Sequence, residues 1–501
     1  MPEGAAFAAV DLGAESGRVA LGHLTEGRVE LELVHRFANR PVRLPDGLHW
    51  NLLDLFANTL EGLSRAAAAS PLRGVGVEAW GVDYGLLDGD MRLLGPPFHY
   101  RDERTEGMAA RAYARVAREE LYAVTGIQTM PINTVFQLLA DEGSAAVASA
   151  QRIALVPDLF GLWLTGELVN EETVASTTGL LDARTGQWAR DIVERLGLPT
   201  AFFHGPLVAP GTAIGPILPA HADAAGGAVG VGVGTVAGHD TASAFAATPL
   251  AGPDAAVLSS GTWSLLGLEA DAPELGELAR SYNLTNERGL DGTTRLLRNV
   301  MGLWIIQQCR LHWERSGGPA DYDDLHQLAA AAGPEVPLFD PDAPVFLAPG
   351  DMPARIANAC RKSGQQSPAG PGECVRSVLL SLACKYRLVL ERLRRVTGRE
   401  LRTLHVVGGG ARNELLCRLT ADVTRLAVLA GPVEATALGN VLVQARAAGE
   451  LGSLSDIRAV AGASANPTRY EPSAGPAAEE TYERFLAVTG LAVDASDPVA
   501  A

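Results

Sequence analysis

The sequence predicts an α/β protein built as two domains of similar plan, and three observations carry that reading. The chain has 501 residues, more than one ordinary hydrophobic core holds. Strand-like and helix-like patterns alternate along it, the signature of α/β folds. A unit of strand, small-residue turn and strand also occurs twice. It reads "AAFAAVDLGAESGRVALGHL" near the start and "DAAVLSSGTWSLLGLEA" at 254–270, where the breaker-rich "TPLAGPD" ends. These signals place a first domain at 1–248, a second at 249–470, and a C-terminal helix with a loose tail at 471–501.

Taken in order, the opening unit is extended by "GRVELELVHRF", which alternates like a third strand and completes a β-meander. "LRGVGVEAWGVDYGLLD" and "GGAVGVGVGTVAG" are strand candidates, and "RTEGMAARAYARVAREELYAVTG" between them has the apolar spacing of a helix. In the second half, "CVRSVLLSLACKYRLVLERLRRVTG" predicts a long helix, "TLHVVGGG" a strand, and a helix starts near Asn413. "AAEETYERFLAVTG" predicts the last helix.

Composition narrows the function classes. With 47% hydrophobic residues, 20% charged residues and 55 glycines, the chain has the balance of a turn-rich globular protein. Its net charge of -17 repels a phosphate backbone, which excludes nucleic acid and anionic membrane surfaces as partners of the whole molecule. "MPEGAAFAAVDLG" lacks the basic start and apolar run of a signal peptide, and no window reaches the roughly 20 apolar residues of a membrane span. The expectation is a cytoplasmic protein. Five scattered cysteines without a C-x-x-C pair argue against zinc and against a disulfide framework. Cys360 and Cys374 flank "RKSGQQSPAGPGE", so free thiols are expected there, with a disulfide as the alternative.

Several nucleotide motifs are excluded. Lys362 and Lys385 are the two lysines and neither follows a glycine, so there is no P-loop G-x-x-x-x-G-K-[ST]. The spaced glycines of "GGAVGVGVG" at 226–234 are read as a tight strand, because no helix-forming stretch follows at the spacing of a dinucleotide turn. "VDLGAESGR" is more informative. Asp11 ends a strand, and Gly13, Ala14, Ser16 and Gly17 can expose backbone N–H groups that cradle phosphate while the acid holds a hydrated Mg²⁺. An ordinary hairpin with Asp11 as a local cap is the alternative. The turn has company in "SSGTWS" at 259–264 and "VVGGGARN" at 406–413, and such turns in two similar halves suggest a nucleotide in a cleft between them. The remaining oddity is "VAGHDTAS" at 236–243, where His239 and Asp240 stand side by side between an apolar strand and an alanine-rich helix. A helix cap with a surface histidine would explain them locally.

These residues resemble the FGGY carbohydrate kinases. "VDLGAESGRV", "WGVDYGLLD", "YRDERT", "GHDTASA", "SSGTWSLLGLE", "TNERG", "RNVMGLWIIQQC", "HVVGGGARN" and "GPVEATALGNVLVQA" fall in family order over residues 6–470. The resemblance implies two ribonuclease H-like domains of the actin and hexokinase superfamily with the ligands in the cleft between them. It is strongest to the branch that phosphorylates the 1-hydroxyl of L-rhamnulose in rhamnose catabolism. ATP, Mg²⁺ and a small ketose are then the expected ligands.

What it implies for residues follows motif by motif. Asp240 matches the family's general base, which suits a sugar hydroxyl whose proton must leave as the bond to phosphorus forms. His239, Thr241 and the backbone at Gly81 are expected on the sugar. Ala14, Glu15, Ser16, Gly17 and Arg18 surround the phosphates, with Thr262 on the opposite turn. Asn299 and Gln307, eight apart, are expected to project from one helix toward the nucleotide, and Gly409 lets the backbone approach the adenosine. Glu434 reads as a helix N-terminal acid. The chain departs from that branch at Glu15, where a serine is usual, at Glu78 and Ala79, where an Asp-Thr pair is usual, and at Gly179, where a glutamine is usual. Glu15 introduces a carboxylate beside the phosphate turn, and Glu78 and Gly179 are expected to reshape the sugar pocket. Other ketoses such as L-fuculose or a pentulose, or a non-catalytic actin-like sugar sensor, are the alternatives. The sequence does not set the oligomeric state, monomer or dimer.

Overall fold

The structure is a computed structural model that describes residues 4–250, 252–473 and 475–497. Two mixed sheets organise it. The first has six strands in the order Ala213–Pro216, Gly232–His239, Leu72–Ala79, Ala5–Leu12, Ser16–Thr25, Arg28–Ala38. The second has seven, in the order Thr285–Arg288, Thr294–Met301, Trp263–Ala270, Ala255–Ser260, Thr403–Val407, Ala427–Ala430, Thr468–Tyr470. Both contain the same unit. A first strand pairs antiparallel with its hairpin partner on one side and parallel with a later strand on the other, and that strand pairs parallel with the next. The repeated strand, turn and strand in the sequence is the hairpin of each unit.

Apolar alternation builds each sheet, and helices with one apolar face cover it. Leu52–Ala69 buries Leu52, Leu55, Leu63 and Ala66 against the first sheet. Pro371–Thr397, with proline in its first turn and Gly398 in the left-handed region just past its end, crosses the core of the second. One helix of the second half, Ala435–Ala447, lies on the first sheet. Its Val441 meets Gly22, Gln444 Nε2 donates to Ala8 O at 3.0 Å, and Asn440 Nδ2 donates to Gly76 O at 3.2 Å. It also crosses Asp240–Ala246 so closely that a Cβ on Gly439 would fall 2.0 Å from the Ser243 carbonyl oxygen. The two halves therefore share a core, which includes Val236, Ala437 and Leu438.

Several elements differ from the sequence reading. The 226–234 run is not one strand: Gly226–Ala228 is a short 3-10 turn, and the strand begins at Gly232. "LRGVGVEAWGVDYGLLD" divides into Leu72–Ala79 and Tyr84–Leu87, the latter pairing with Arg152–Leu155 outside the main sheet. The stretch from Arg104 is two helices, Met108–Tyr113 and Arg118–Thr125. Asn299 and Gln307 do not share a helix, because Asn299 is on the strand Thr294–Met301 and Gln307 on the helix Trp304–Arg315. Gly302 separates them, pressed so tightly on the neighbouring hairpin that a Cβ would lie 2.6 Å from the Trp263 backbone carbon.

The tail after Ala477–Thr489 is not loose as far as Asp497, which is buried and forms an ion pair with Arg392 at 2.5 Å and another with Arg298. Residues 498–501 lie outside the described residues. All five cysteines are buried and unpaired, so Cys360 and Cys374 are free thiols. No helix among the described residues is long and apolar enough to cross a membrane.

Candidate active site

A cleft of about 570 Å³ opens where the ends of both central strand sets face each other. That volume lies within the range of small-ligand sites. Asp11, near the end of the strand Ala5–Leu12, contributes a carboxylate that is 2% exposed. Arg18 Nε meets it at 2.9 Å, and the Thr436 hydroxyl, from the second half, donates to the same oxygen. The intervening turn is braced by Gly13 N–H to Ser16 O at 3.1 Å and Asn39 Nδ2 to Gly13 O at 2.9 Å. Among the described residues, the Ala14 and Glu15 N–H groups have no protein acceptor. Free amides on a braced turn suit phosphate oxygens.

Ala14, Glu15, Ser16 and Arg18 line the cleft, but Gly17 does not. Gly17 is buried, and a Cβ there would sit 2.2 Å from the Phe37 ring, so packing accounts for that glycine. Glu15 is exposed and lines the cleft. The cleft walls withdraw water and push its carboxyl above its ordinary value, and Arg310 and Arg36 pull the other way. Arg18 is held between the halves, since its Nη1 meets Glu434 at 2.5 Å while its Nε meets Asp11. Glu434 caps the helix Ala435–Ala447 and also faces Arg412 at 3.3 Å, so this acid is more than a helix-terminal charge.

The opposite wall is the second hairpin turn. Gln307 Nε2 donates to Thr262 Oγ1 at 3.4 Å, and Trp304 N–H bonds Thr262 O at 3.1 Å, which docks the start of its helix on that turn. Of the three glycines at 408–410, two have packing reasons. A Cβ on Gly408 would lie 3.0 Å from Ser260 O, and one on Gly410 would lie 2.0 Å from Ser260 Oγ. Gly409 has open space, and it lines the cleft.

Deeper in, His239 ends the strand Gly232–His239 and Asp240 begins the helix Asp240–Ala246. The Asp240 side chain is 28% exposed, takes the Thr241 hydroxyl at 2.9 Å and lies 3.5 Å from His239 Nε2. Burial pushes its carboxyl above the ordinary value, His239 opposes that, and Asp11 adds to it. Gly81 lines the same cleft, packed so closely that a Cβ would be 2.8 Å from Thr177 Oγ1.

Asn299 is placed beside this group rather than beside Gln307. Gln128 from the first half accepts from Asn299 N–H at 2.8 Å and donates to Asn299 O at 3.1 Å, and Asn299 lies against Glu287. Burial would raise the Glu287 carboxyl, but Arg295, His239 and Asn299 outweigh it and hold it low. Gln128, Glu287, Arg412 and Thr436 line the cleft without having been singled out from the sequence. Glu287 lay in the quoted "TNERG", Arg412 in "HVVGGGARN" and Thr436 in "GPVEATALGNVLVQA", while Gln128 lay in no motif.

Two departures do not reshape the cleft as expected. Glu78 and Gly179 are not among its lining residues. Glu78 is fully buried beside Asp11 in the parallel register, with neither carboxyl oxygen hydrogen-bonded. Burial, then the charge of Asp11, pushes its carboxyl far up. Gly179 sits in the left-handed region at φ 72°, which a glutamine would occupy only with strain.

A divalent cation fits what Asp11 offers. No group of three His, Cys, Asp or Glu that could hold a metal occurs among the described residues. A hard cation that keeps its waters and binds substrate phosphates needs only one or two protein carboxylates.

Residues 8–246 match the sequence profile of the N-terminal domain of the FGGY family of carbohydrate kinases, and residues 256–448 that of its C-terminal domain. A rhamnulokinase of Bacteroides thetaiotaomicron is 40% identical over 482 residues, covering 96% of this chain and 98% of that protein. One of Enterococcus faecalis is 41% identical over 449 residues, covering 89% and 90%. Among solved structures, a gluconate kinase from Lactobacillus acidophilus superposes with a TM-score of 0.76 at 15% identity over 97% of this chain and 99% of the other. Plasmodium falciparum glycerol kinase with ADP does so at 0.73 and 13% over 96% and 97%. At those identities the structural matches speak for the fold alone.

Proposed function

Because the chain belongs to the FGGY family of carbohydrate kinases, we propose that it transfers the γ-phosphoryl group of ATP to the 1-hydroxyl of L-rhamnulose, giving L-rhamnulose 1-phosphate. The observation that carries this reading is the position of Asp240. Its carboxylate opens into the cleft between sugar-side groups, Gly81, His239 and Thr241, and the phosphate turn behind Asp11. Long rhamnulokinase relatives at 40% and 41% identity support the choice of sugar.

In this scheme Asp240 accepts the hydroxyl proton as the oxygen attacks phosphorus. Burial raises its basicity toward the working pH, and a base so tuned is more effective than a free carboxylate. His239, Thr241 and the Gly81 backbone hold the sugar, and we add Asn299 to that set because Gln128 and Glu287 keep it on the sugar side. The Ala14 and Glu15 amides, Ser16 and Arg18 receive phosphate oxygens, with Thr262, Gln307 and Gly409 along the rest of the nucleotide. Phosphoryl transfer is catalysed mostly by positioning and charge stabilisation, so these donors matter as much as the base. Asp11 would hold Mg²⁺ through water. Bound there, the cation would neutralise charge on the phosphate oxygens. Five free, buried thiols and the use of ATP fit a cytoplasmic setting.

The test is ATP-dependent phosphorylation of a ketose panel containing L-rhamnulose, L-fuculose and two pentuloses. The expected result is the highest kcat/KM on L-rhamnulose, with phosphate on O1. Good turnover of another ketose with none on L-rhamnulose would refute the substrate and leave the kinase class standing.

A further inference from the structure

The histidine beside the base is held by the other half of the protein. Its backbone belongs to the first half, where Gly238 N–H bonds Glu171 Oε2 at 3.1 Å and His239 N–H bonds Thr173 Oγ1 at 3.2 Å. Its ring is met from the second half. Glu287 and Arg295 stand directly opposite each other on the antiparallel strands Thr285–Arg288 and Thr294–Met301. Their side chains pair at 3.1 Å with 5% and 0% exposure. The same Glu287 oxygen lies 3.2 Å from His239 Nδ1, and Arg295 Nη2 lies 3.2 Å from that nitrogen as well. Arg295 is itself anchored, its Nε donating to Arg288 O at 3.0 Å.

A buried ion pair is weak support for stability, because desolvating two charges offsets most of their attraction. This pair nevertheless sits where it fixes one ring. With Nδ1 engaged, Nε2 is the nitrogen left to face Asp240 at 3.5 Å and the cleft. We propose that Glu287 and Arg295 are positioning residues for the transfer, acting through His239 to set the ring against the Asp240 carboxylate and the sugar hydroxyls. The pair reaches His239 from the second half, so the sugar site is complete only when both halves meet. This rests on the reading of Asp240 as the base.

The experiment is a double-mutant cycle between Glu287→Gln and His239→Gln, read as kcat/KM for L-rhamnulose and KM for ATP. Glu287→Gln is expected to lower kcat/KM for the sugar about 10- to 100-fold, by analogy with removing a carboxylate that orients a metal-ligating imidazole. KM for ATP should stay within about 2-fold. In the His239→Gln background the Glu287 change should add almost nothing, because its effect runs through the ring. Glu287→Gln leaves Arg295 as a lone buried charge, so Glu287→Gln/Arg295→Met is made beside it, removing the pair together and keeping the melting temperature near wild type. That variant should stay as impaired as Glu287→Gln. Full sugar turnover in the pair-free variant, multiplying penalties in the cycle, or an equal rise in KM for ATP would each overturn the proposal. None of these would be confused with failure of the base reading, which shows instead as an active Asp240→Asn.

Discussion

Replacing Asp240 by asparagine removes one proton acceptor and almost nothing else. The amide oxygen can still take the Thr241 hydroxyl now bonded at 2.9 Å, and the side chain stays at the start of the same helix. Loss of a positioned general base costs about 10²- to 10⁴-fold in rate, so kcat on L-rhamnulose should fall by that much. ATP affinity should hold or improve, because a negative charge close to Asp11 and the phosphates is gone. The melting temperature should not drop. The Asp240 carboxyl is raised above its value in the unfolded chain, so its favourable contribution is complete below the unfolded value and disappears as pH rises through the folded one. At neutral pH the ionised form is therefore a cost that asparagine relieves, and the relief shrinks in acid. In the wild type, the acid limb of kcat/KM should lie above the ordinary carboxylate range, since only the ionised base works. Steady-state kinetics from pH 5 to 9, calorimetric ATP binding and thermal melts measure all of this. Turnover within a few-fold of wild type would refute the assignment of Asp240 as the base.

Glu78→Gln should raise the melting temperature relative to wild type, by an amount that grows as pH rises above the ordinary carboxylate range. The buried carboxyl is favoured only while it keeps its proton, and the Asp240 contribution is common to both proteins; a pH-independent difference would show that Glu78 is not held in its neutral form. Asp497→Ala removes the carboxylate partner of Arg392 and leaves Arg298 with Asp342 alone, and should cost about 3–5 kcal/mol, read from denaturant midpoints. A loss below about 1 kcal/mol would make the tail contact incidental.

The fold was legible because its repeated unit is local: an apolar strand, a small-residue turn and a second strand fall within about twenty residues of sequence. What escaped was set by contacts distant in sequence. Asn299 and Gln307 look like one helical face at a spacing of eight, and nothing in "RNVMGLWIIQQ" shows that Gly302 must press against the backbone at Trp263. Glu78 departs from the expected pattern inside a strand that ends at the cleft, which invited a role in the pocket. The register instead sets it beside Asp11, out of the lining and beneath the site. Glu287 and Arg295 are eight apart in sequence and become partners only through the antiparallel register of their strands. Asp497 is one acid in a polar tail, and its two arginines arrive from 199 and 105 residues away.

The repeat also separates what a position provides from what its neighbours make of it. Asp240 and Glu434 stand at equivalent points of the two units, each at the start of the helix that follows the last parallel strand, and those helices cross at Gly439. A helix N-terminus favours an acid at both places. At Glu434 the carboxylate is taken up by Arg18 and Arg412, so it ties the phosphate turn of one half to the other and has no free charge to offer a proton. At Asp240 the neighbours are a threonine hydroxyl and a histidine ring, no arginine contacts the carboxylate among the described residues, and burial raises its basicity. Two acids that the fold places alike thus differ in chemistry because one is matched by cations and the other is not.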